Sequence, residues 1–457
     1  MSLIQIAWRN FCHRSLSSIL TTLSLALGVG LVVIVLSAYG IITEAFQRNA
    51  QSGFNLVVGP SKGSALQLTL NSVYYLSQPN ENIDFTKFME FYFQPERAEM
   101  VRKYGGDPKL GERDGQYAGY IGKGGFAIPL ALGDYLGEFR VVGTTPEFFE
   151  KLRMGPELDE TFRFADGRAL KEHSDQYSYF ESVLGSRVAN EMKLKVGDTY
   201  NPSHSVPGGE GHGQAFTVVG VMEPTGTPND RAAFVNLEGF YLLDKHSLPL
   251  SGDEIMEPPT EAYDDPAGHM PLTIPQREVT SVLIKNEVPF HAASMYDTIK
   301  EKDDELQAAA PVGEISKLMS AIVGPLLQAL LVITLITCVV AAVGILVAIY
   351  NSMNDRRRDI AVMRALGARR DTVTMIILCE SLLIAVIGGL LGWILAHTAL
   401  WAMGGRIEDH TGVSIGLFTT STYEIYVLPL VLILAFIAGW LPAAAAYRTD
   451  VGSNLSA

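Results

Sequence analysis

The sequence predicts a membrane α-helical protein with four transmembrane helices and a mixed α/β extracytoplasmic domain inserted between the first and second spans. Two observations carry this reading. Hydrophobic residues fill 48% of the 457 positions, and they gather in four stretches, 17–42, 319–350, 373–400 and 425–447, each long enough for the about 20 helical residues that a hydrocarbon core demands. The residues from 43 to 318 are too polar to insert and alternate between strand-like runs and Gly/Pro turns.

The first apolar stretch far exceeds the 7 to 15 residues of a signal peptide core, and no clear A-x-A site follows it. We read it as an uncleaved anchor. Residues 1–16 precede it as an amphipathic helix at the cytoplasmic interface, with Ile4, Trp8 and Phe11 on one face. The loop 351–372 carries Arg356, Arg357, Arg358, Arg364, Arg369 and Arg370, whereas the loop 401–424 has Arg406 against Glu408, Asp409 and Glu424. The positive-inside rule then puts both termini, the arginine loop and the tail 448–457 in the cytoplasm, and the large domain outside. The location expected is a bacterial cytoplasmic (inner) membrane, crossed several times.

The outside domain holds 25 of the 35 Lys+Arg but 41 of the 49 Asp+Glu. An acidic surface of this kind gives solubility and excludes general nucleic-acid binding, which needs clustered positive charge. Within it, "FRVVGTT" (139–145), "FTVVGVM" (216–222) and "SVLIKN" (281–286) have the β-branched runs of strands. "TPEFFEKL" (145–152), with Thr145 as N-cap, and "YFESVLGSRVANEMKL" (179–194) read as helices, and 295–350 as one long helical path bent at Pro311 and Pro325.

Catalytic chemistry is hard to find. No GxxxxGK[ST], HExxH, GxSxG or strand-to-helix GxGxxG occurs, and "GPSKGS" (59–64) lacks phosphate-cradling spacing. The chain is therefore not expected to be an enzyme or to hold a cofactor of its own. His204 and His212, in the loop "NPSHSVPGGEGHGQ", would make a metal site with a carboxylate such as Glu210, but loop histidines at irregular spacing are usually solvated and no metal is expected. The three cysteines, Cys12, Cys338 and Cys379, offer no CxxC pair.

Within the spans, Ala26 and Gly30, and likewise Gly388 and Gly392, lie four apart, the spacing that lets helix backbones approach. Glu380 is an ionisable residue in the third span, read as an interfacial carboxylate paired with a loop arginine rather than a relay, since no second charge accompanies it. A helix starting near Asp355 would place Ile360, Met363 and Gly367 on one face, widened by Val362 and Leu366, with Arg357 and Arg364 on another. Gly367 would stop it and Asp371 would cap the next span. Orientation alone needs only positive charge, so the apolar face points to a partner.

The segments "RRRDIAVMRALGARRDTV", "LCESLLIAVIGGLLGWIL", "AWRNFCHRSLSSILTTLSLALGVG" and "GWLPAAAAYRTD" resemble the FtsX/MacB-type permeases of ABC transporters, the type VII or mechanotransmission class. "VVGTTPEFFEKL", "VLGSRVANEMKLKVGDTY" and "FTVVGVMEPTGTPNDRAAFV" are similar to the MacB-type periplasmic domain. The resemblance implies a homodimeric permease in contact with membrane lipids, with a separate cytoplasmic ATPase supplying ATP and Mg chemistry. It implies that Arg356, Arg357, Arg358, Ile360, Met363, Arg364, Leu366 and Gly367 form the ATPase-coupling helix, and that Glu380 is the family's third-span glutamate. It also implies an ectodomain base at 43–140 and 275–318 with an inserted lobe at 141–274, and a substrate that is a peptide, lipid, lipoprotein or antimicrobial, reached with or without a periplasmic adaptor. The alternative it carries is an FtsX-like signalling or scaffold protein that activates an extracytoplasmic hydrolase. Where the family has several arginines after its "LPA" motif, this tail has Arg448 alone.

Overall fold

A computed structural model describes residues 3–427 apart from 14, 51–52, 77, 155–157, 205–208, 210, 244–245, 249–269, 356–368, 412–415 and 417–419, together with scattered positions from 429 to 440. The chain divides into two compact units, 1–44 with 319–457, and 45–318.

In the first unit, an opening helix Leu3–His13 stacks Trp8 on Phe11 at 5.8 Å. A 36-residue helix, Ser15–Ala50, follows; at 1.5 Å per residue it is about 54 Å long, well beyond a hydrocarbon core of about 30 Å. A π-helical turn at Met319–Val323 leads into the helix Gly324–Asp355. Pro325 lacks the N–H that would close an α-turn on residue 321, so the wider turn falls where the ladder must break. The last long helix, Arg370–Thr411, places Asp371 inside its first turn rather than at the expected N-cap. Three described helices are long and apolar enough to cross a membrane: Ser18–Ile41, Pro311–Gly344 and Asp371–Ile407. The fourth expected span, 425–447, lies largely outside the described residues.

The second unit is built on a mixed sheet. Its strands are β1 (Leu56–Pro60), β2 (Ile83–Asp84), β3 (Phe126–Leu136), β4 (Phe139–Thr144), β5 (Phe164–Gly167), β6 (Glu181–Leu184), β7 (Thr199–Tyr200), β8 (Ser203–His204), β9 (Phe216–Met222), β10 (Ala232–Asn236), β11 (Glu278–Val279), β12 (Ser281–Lys285) and β13 (Leu306–Ala309). The main sheet runs β13-β1-β12-β3-β4-β10-β6-β9-β5, with β7 on β9 and β8 on β3, while β2 and β11 pair separately. β10 is parallel to β4 and β6 to β9; the other main pairings are antiparallel.

β3 is the longest strand and serves two cores. Ala127 joins Phe85, Phe88, Met89, Tyr117, Val282 and Ile299 in one apolar cluster, and Ala131 and Leu136 join Phe139, Val141, Leu184, Phe216 and Phe240 in the other. Near-continuous burial along β4, β6 and β10 follows from sheet surface covered on both faces.

Three expectations for this unit are corrected. The helix expected over 179–194 is strand β6 followed by a short helix, Ser186–Met192, because Ser182, Val183 and Leu184 are fully buried between β10 and β9. The path expected to be helical from 295 onward is interrupted: the helix Pro289–Lys302 gives way to β13 on the sheet edge before helix resumes at Pro311. Thr145 does not cap the helix Glu147–Lys151. Pro146 takes that place, and Thr145 contributes only its carbonyl, to the Phe148 N–H at 3.0 Å.

Candidate functional site

The residues expected to meet an ATPase, Arg356, Arg357, Arg358, Ile360, Met363, Arg364, Leu366 and Gly367, lie outside the described residues. The described segments nearest in sequence are the helix ends at Asp355 and Arg370.

The four small residues singled out in the spans come together. A Cβ on Gly392 would lie 2.5 Å from the Ala26 carbonyl oxygen and 3.0 Å from the Gly30 nitrogen, and one on Gly30 would lie 3.2 Å from the Gly392 carbonyl. One turn away, a Cβ on Gly388 would meet Leu25 at 3.0 Å and the Thr22 carbonyl at 3.1 Å. Backbone thus rides on backbone, an approach only residues without bulk allow, and between apolar helices such packing supplies much of the attraction. Leu25, Val29, Val33, Val373, Ile377 and Ile384 extend the buried contact. Glu380 is largely buried beside Ser381 in the same helix.

Glu424 was read from the sequence only as a loop charge. In the structure it organises the end of this contact. Ser37 Oγ donates to its Oε1 at 2.7 Å and the Ser421 N–H at 3.0 Å, while Trp393 Nε1 donates to Oε2 at 3.2 Å and His397 Nε2 lies 3.1 Å from it. One carboxylate thereby ties the first long helix to the last. The i, i+4 spacing of Trp393 and His397 is the sequence signal that could have flagged a shared polar partner.

The second unit presents a cleft of about 810 Å³. Its lining includes Phe85, Phe88, Tyr92 and Tyr104, with Glu96 and Glu99 beside them. At its base Arg277 is fully buried; Nη1 donates to Glu238 Oε2 at 2.9 Å and Nη2 to Oε1, and its guanidinium lies 3.8 Å from the Tyr104 ring, 4.7 Å from Phe85 and 4.8 Å from Tyr241. Burial works against its charge, and the Glu238 carboxylate and the Tyr104 and Tyr241 rings outweigh it, so the guanidinium is held above its ordinary range.

His204 and His212 are not the solvated loop pair expected from the sequence. His212 is buried, and both rings lie against Asp134 and His246. Glu210, the carboxylate proposed with them, lies outside the described residues. Asp134 and His246 escaped sequence reasoning because they sit 70 and 42 positions from His204; β3 pairing with β8 brings Asp134 near it, and the segment after the helix Leu237–Tyr241 brings His246.

Comparison with known proteins bears on both units. Residues 18–256 match the MacB-like periplasmic core domain, and residues 331–451 match the FtsX-like permease C-terminal domain. The chain is similar to the macrolide export ATP-binding/permease protein MacB of Psychrobacter cryohalolentis, 31% identical over 124 residues, which is 27% of this chain and 18% of that protein. MacB of Escherichia coli K12 is 31% identical over 129 residues, 26% of this chain and 18% of its own length, and MacB of Rhodopirellula baltica 26% identical over 148 residues, 31% and 22% respectively. The aligned stretches thus span about a fifth of these relatives. The periplasmic-domain match alone covers more than half of the sequence. With its apolar helices and both domain matches in the expected order, the chain belongs to the FtsX/MacB-type permeases of ABC transporters, membrane proteins carrying a MacB-like periplasmic core domain.

Proposed function

We propose that this chain is the permease subunit of an ABC transporter that works by moving its periplasmic domain. Two copies would pair in the cytoplasmic membrane, both termini inside, with two copies of a separate ATPase docked on the loop 351–372. ATP binding and hydrolysis below would shift that loop and, through the second span, the domain at 43–318, whose base would be 43–140 with 275–318 and whose lobe would be 141–274. The observation that carries this reading is the joint match to an FtsX-like permease domain and a MacB-like periplasmic core on one chain.

Four features support it. Away from their ends the described spans carry few ionisable side chains, Glu380 and His397 among them, so substrate need not cross them. The seam of Ala26, Gly30, Gly388 and Gly392 makes the first and third spans a stiff pair. The second span leaves Leu326, Ile333, Ile336, Val340 and Val343 exposed among the described residues, surface that suits lipid or a second copy. Glu96, Glu99, Glu147, Glu150 and Glu172 outnumber Lys103, Lys171 and Arg277 in the lining of the aromatic cleft, which suits an amphipathic substrate carrying positive charge, in line with the export of an antimicrobial or peptide. A cleft of this size also favours substrate handling over the hydrolase-activating alternative. The test is affinity purification of the tagged full chain from native membranes. An ABC ATPase in equal amount is expected, and its absence would defeat the proposal.

A further inference from the structure

We propose that the periplasmic domain holds a zinc-class divalent transition-metal ion between Asp134, His204, His212 and His246. The idea is independent of the transport reading and rests on how four side chains converge.

Each ligand is positioned by the fold. Asp134 lies on β3, and the antiparallel register of β3 with β8 sets His204 directly opposite it, on the same face. His212 returns to the same place because its N–H donates to the Pro202 carbonyl at 2.9 Å, its carbonyl accepts from Asn201 Nδ2 at 2.8 Å, and Gly211 bridges to Ser203. His246 follows the short helix Leu237–Tyr241; its ring packs on Phe240 at 4.5 Å, and its N–H donates to the Leu243 carbonyl. Gly133, next to Asp134, lies beside that ring, whose Cε1 would be 3.9 Å from a Cβ there.

The four ligand atoms lie within 4.8 Å of one another, and several of their separations approach those of a coordination shell. His212 Nε2 lies 3.0 Å and His246 Nε2 3.2 Å from Asp134 Oδ2, His204 Nδ1 lies 3.5 Å from Oδ1, and His246 Nε2 lies 3.3 Å from both His204 Nδ1 and His212 Nε2. A tetrahedral ion with bonds of about 2.0–2.1 Å to nitrogen and oxygen has ligand-to-ligand edges of about 3.3 Å. Hydrogen bonding within the cluster does not account for the arrangement. Asp134 is fully buried, yet neither carboxylate oxygen receives a hydrogen bond with acceptable geometry among the described residues. His246 Nε2 faces three partners at once, although one ring nitrogen has a single lone pair or a single proton to direct. A cation at the centre lies on all of these directions together and adds to the positive charge that Arg140 already offers the buried carboxylate, whose burial is costly unless compensated.

Three imidazoles and a carboxylate favour zinc, with cobalt(II) as a spectroscopic substitute, over magnesium or calcium, which prefer oxygen shells. Four protein ligands close the shell, the pattern of a structural site. The ion would fasten the 201–212 loop and the segment after Tyr241 to the central strand. His204, with its side chain 39% exposed, gives the route in.

The experiment uses the full chain in detergent, stripped with a chelator and titrated with Zn²⁺ or Co²⁺. One equivalent per chain is expected, with the visible bands of tetrahedral cobalt and a rise in the melting temperature. His212→Ala and Asp134→Asn should each weaken binding by more than the about 10–100-fold typical of losing an outer-shell partner. His246→Cys, which retains a ligand should the other variants fail to fold, should still bind and add a thiolate-to-cobalt absorption. His173→Ala, which is not one of the four ligands, should change nothing. Absence of stoichiometric binding to the wild-type chain, or a cobalt spectrum unchanged by His246→Cys, would overturn the assignment.

Discussion

The Arg277 guanidinium forks onto the Glu238 carboxylate inside the periplasmic domain, and three aromatic rings close around it. Arg277 directly precedes β11, and Phe85 and Tyr104, which it touches, pack in or against the core beneath β1 and β12. Glu238 lies in the first turn of the helix after β10, with Tyr241 in the second core. The pair therefore bridges the two apolar clusters of the sheet. Removing one partner leaves a buried charge alone, so Glu238→Gln and Arg277→Met should each destabilise the domain by about 3–5 kcal/mol. The double variant Arg277→Met/Glu238→Gln should lose less than the sum, because it leaves no orphaned charge. Thermal unfolding of the full chain measures all three, and additive losses would contradict the coupling.

Glu181 carries a pH prediction. Burial pushes its carboxyl up, but the forked Arg168, at 2.8 Å on one side, and the Lys171 N–H at 3.0 Å outweigh burial and hold it below the ordinary range. A carboxyl lowered in the folded state adds stability above its unfolded value of about 4.3 and loses it as pH falls through the folded value. Glu181→Gln should therefore cost most near neutral pH, and its deficit relative to wild type should shrink below about pH 4. A deficit that stays constant with pH would rule out the ionic part of this bond.

The helix seam predicts a contrast between glycines. Gly392→Ala forces a Cβ to within 2.5 Å of the Ala26 carbonyl, so the helices must separate, with an expected loss of about 1–3 kcal/mol. Gly344→Ala, where a Cβ meets nothing among the described residues, should be neutral or slightly stabilising. Melting of both variants in the same detergent decides it; equal behaviour would mean the seam does not set helix spacing.

Glu424 makes a related prediction at the end of the seam. Glu424→Gln retains some acceptor capacity but loses the charge that Ser37, Trp393 and His397 surround, and hydrogen bonds to a charged group contribute about 1.5–3 kcal/mol each. Glu424→Ala should lower the melting temperature more than Glu424→Gln, and Ser37→Ala less than either.

Much of this was legible because it depends on local pattern. The apolar stretches stand out by length alone, and three of them coincide with helices able to cross a membrane. The β-branched runs at 139–144, 216–222 and 281–285 are strands as read. The errors arose where tertiary burial overrode local propensity. "ESVL" lies inside a helix-like run, yet pairing with β9 and β10 makes it a strand. β13 interrupts a helical-looking path because the edge of β1 offers it a partner. The polar constellations were illegible for a different reason: Asp134, His204 and His246, or Ser37 and Glu424, are far apart in sequence, and only strand register or helix packing joins them.

The central claim is that ATP hydrolysis by a partner is coupled to this chain through the arginine loop. The most direct measurement is the ATPase rate of the complex of the full chain with its co-purified ATPase, in lipid nanodiscs, for wild type and for Arg357→Glu, Met363→Ala and Arg364→Glu. The account predicts that the charge reversals release the ATPase or return it to its uncoupled rate, and that Met363→Ala weakens coupling while the permease keeps its melting temperature. A complex that forms and hydrolyses ATP at the wild-type rate in all three variants would contradict it.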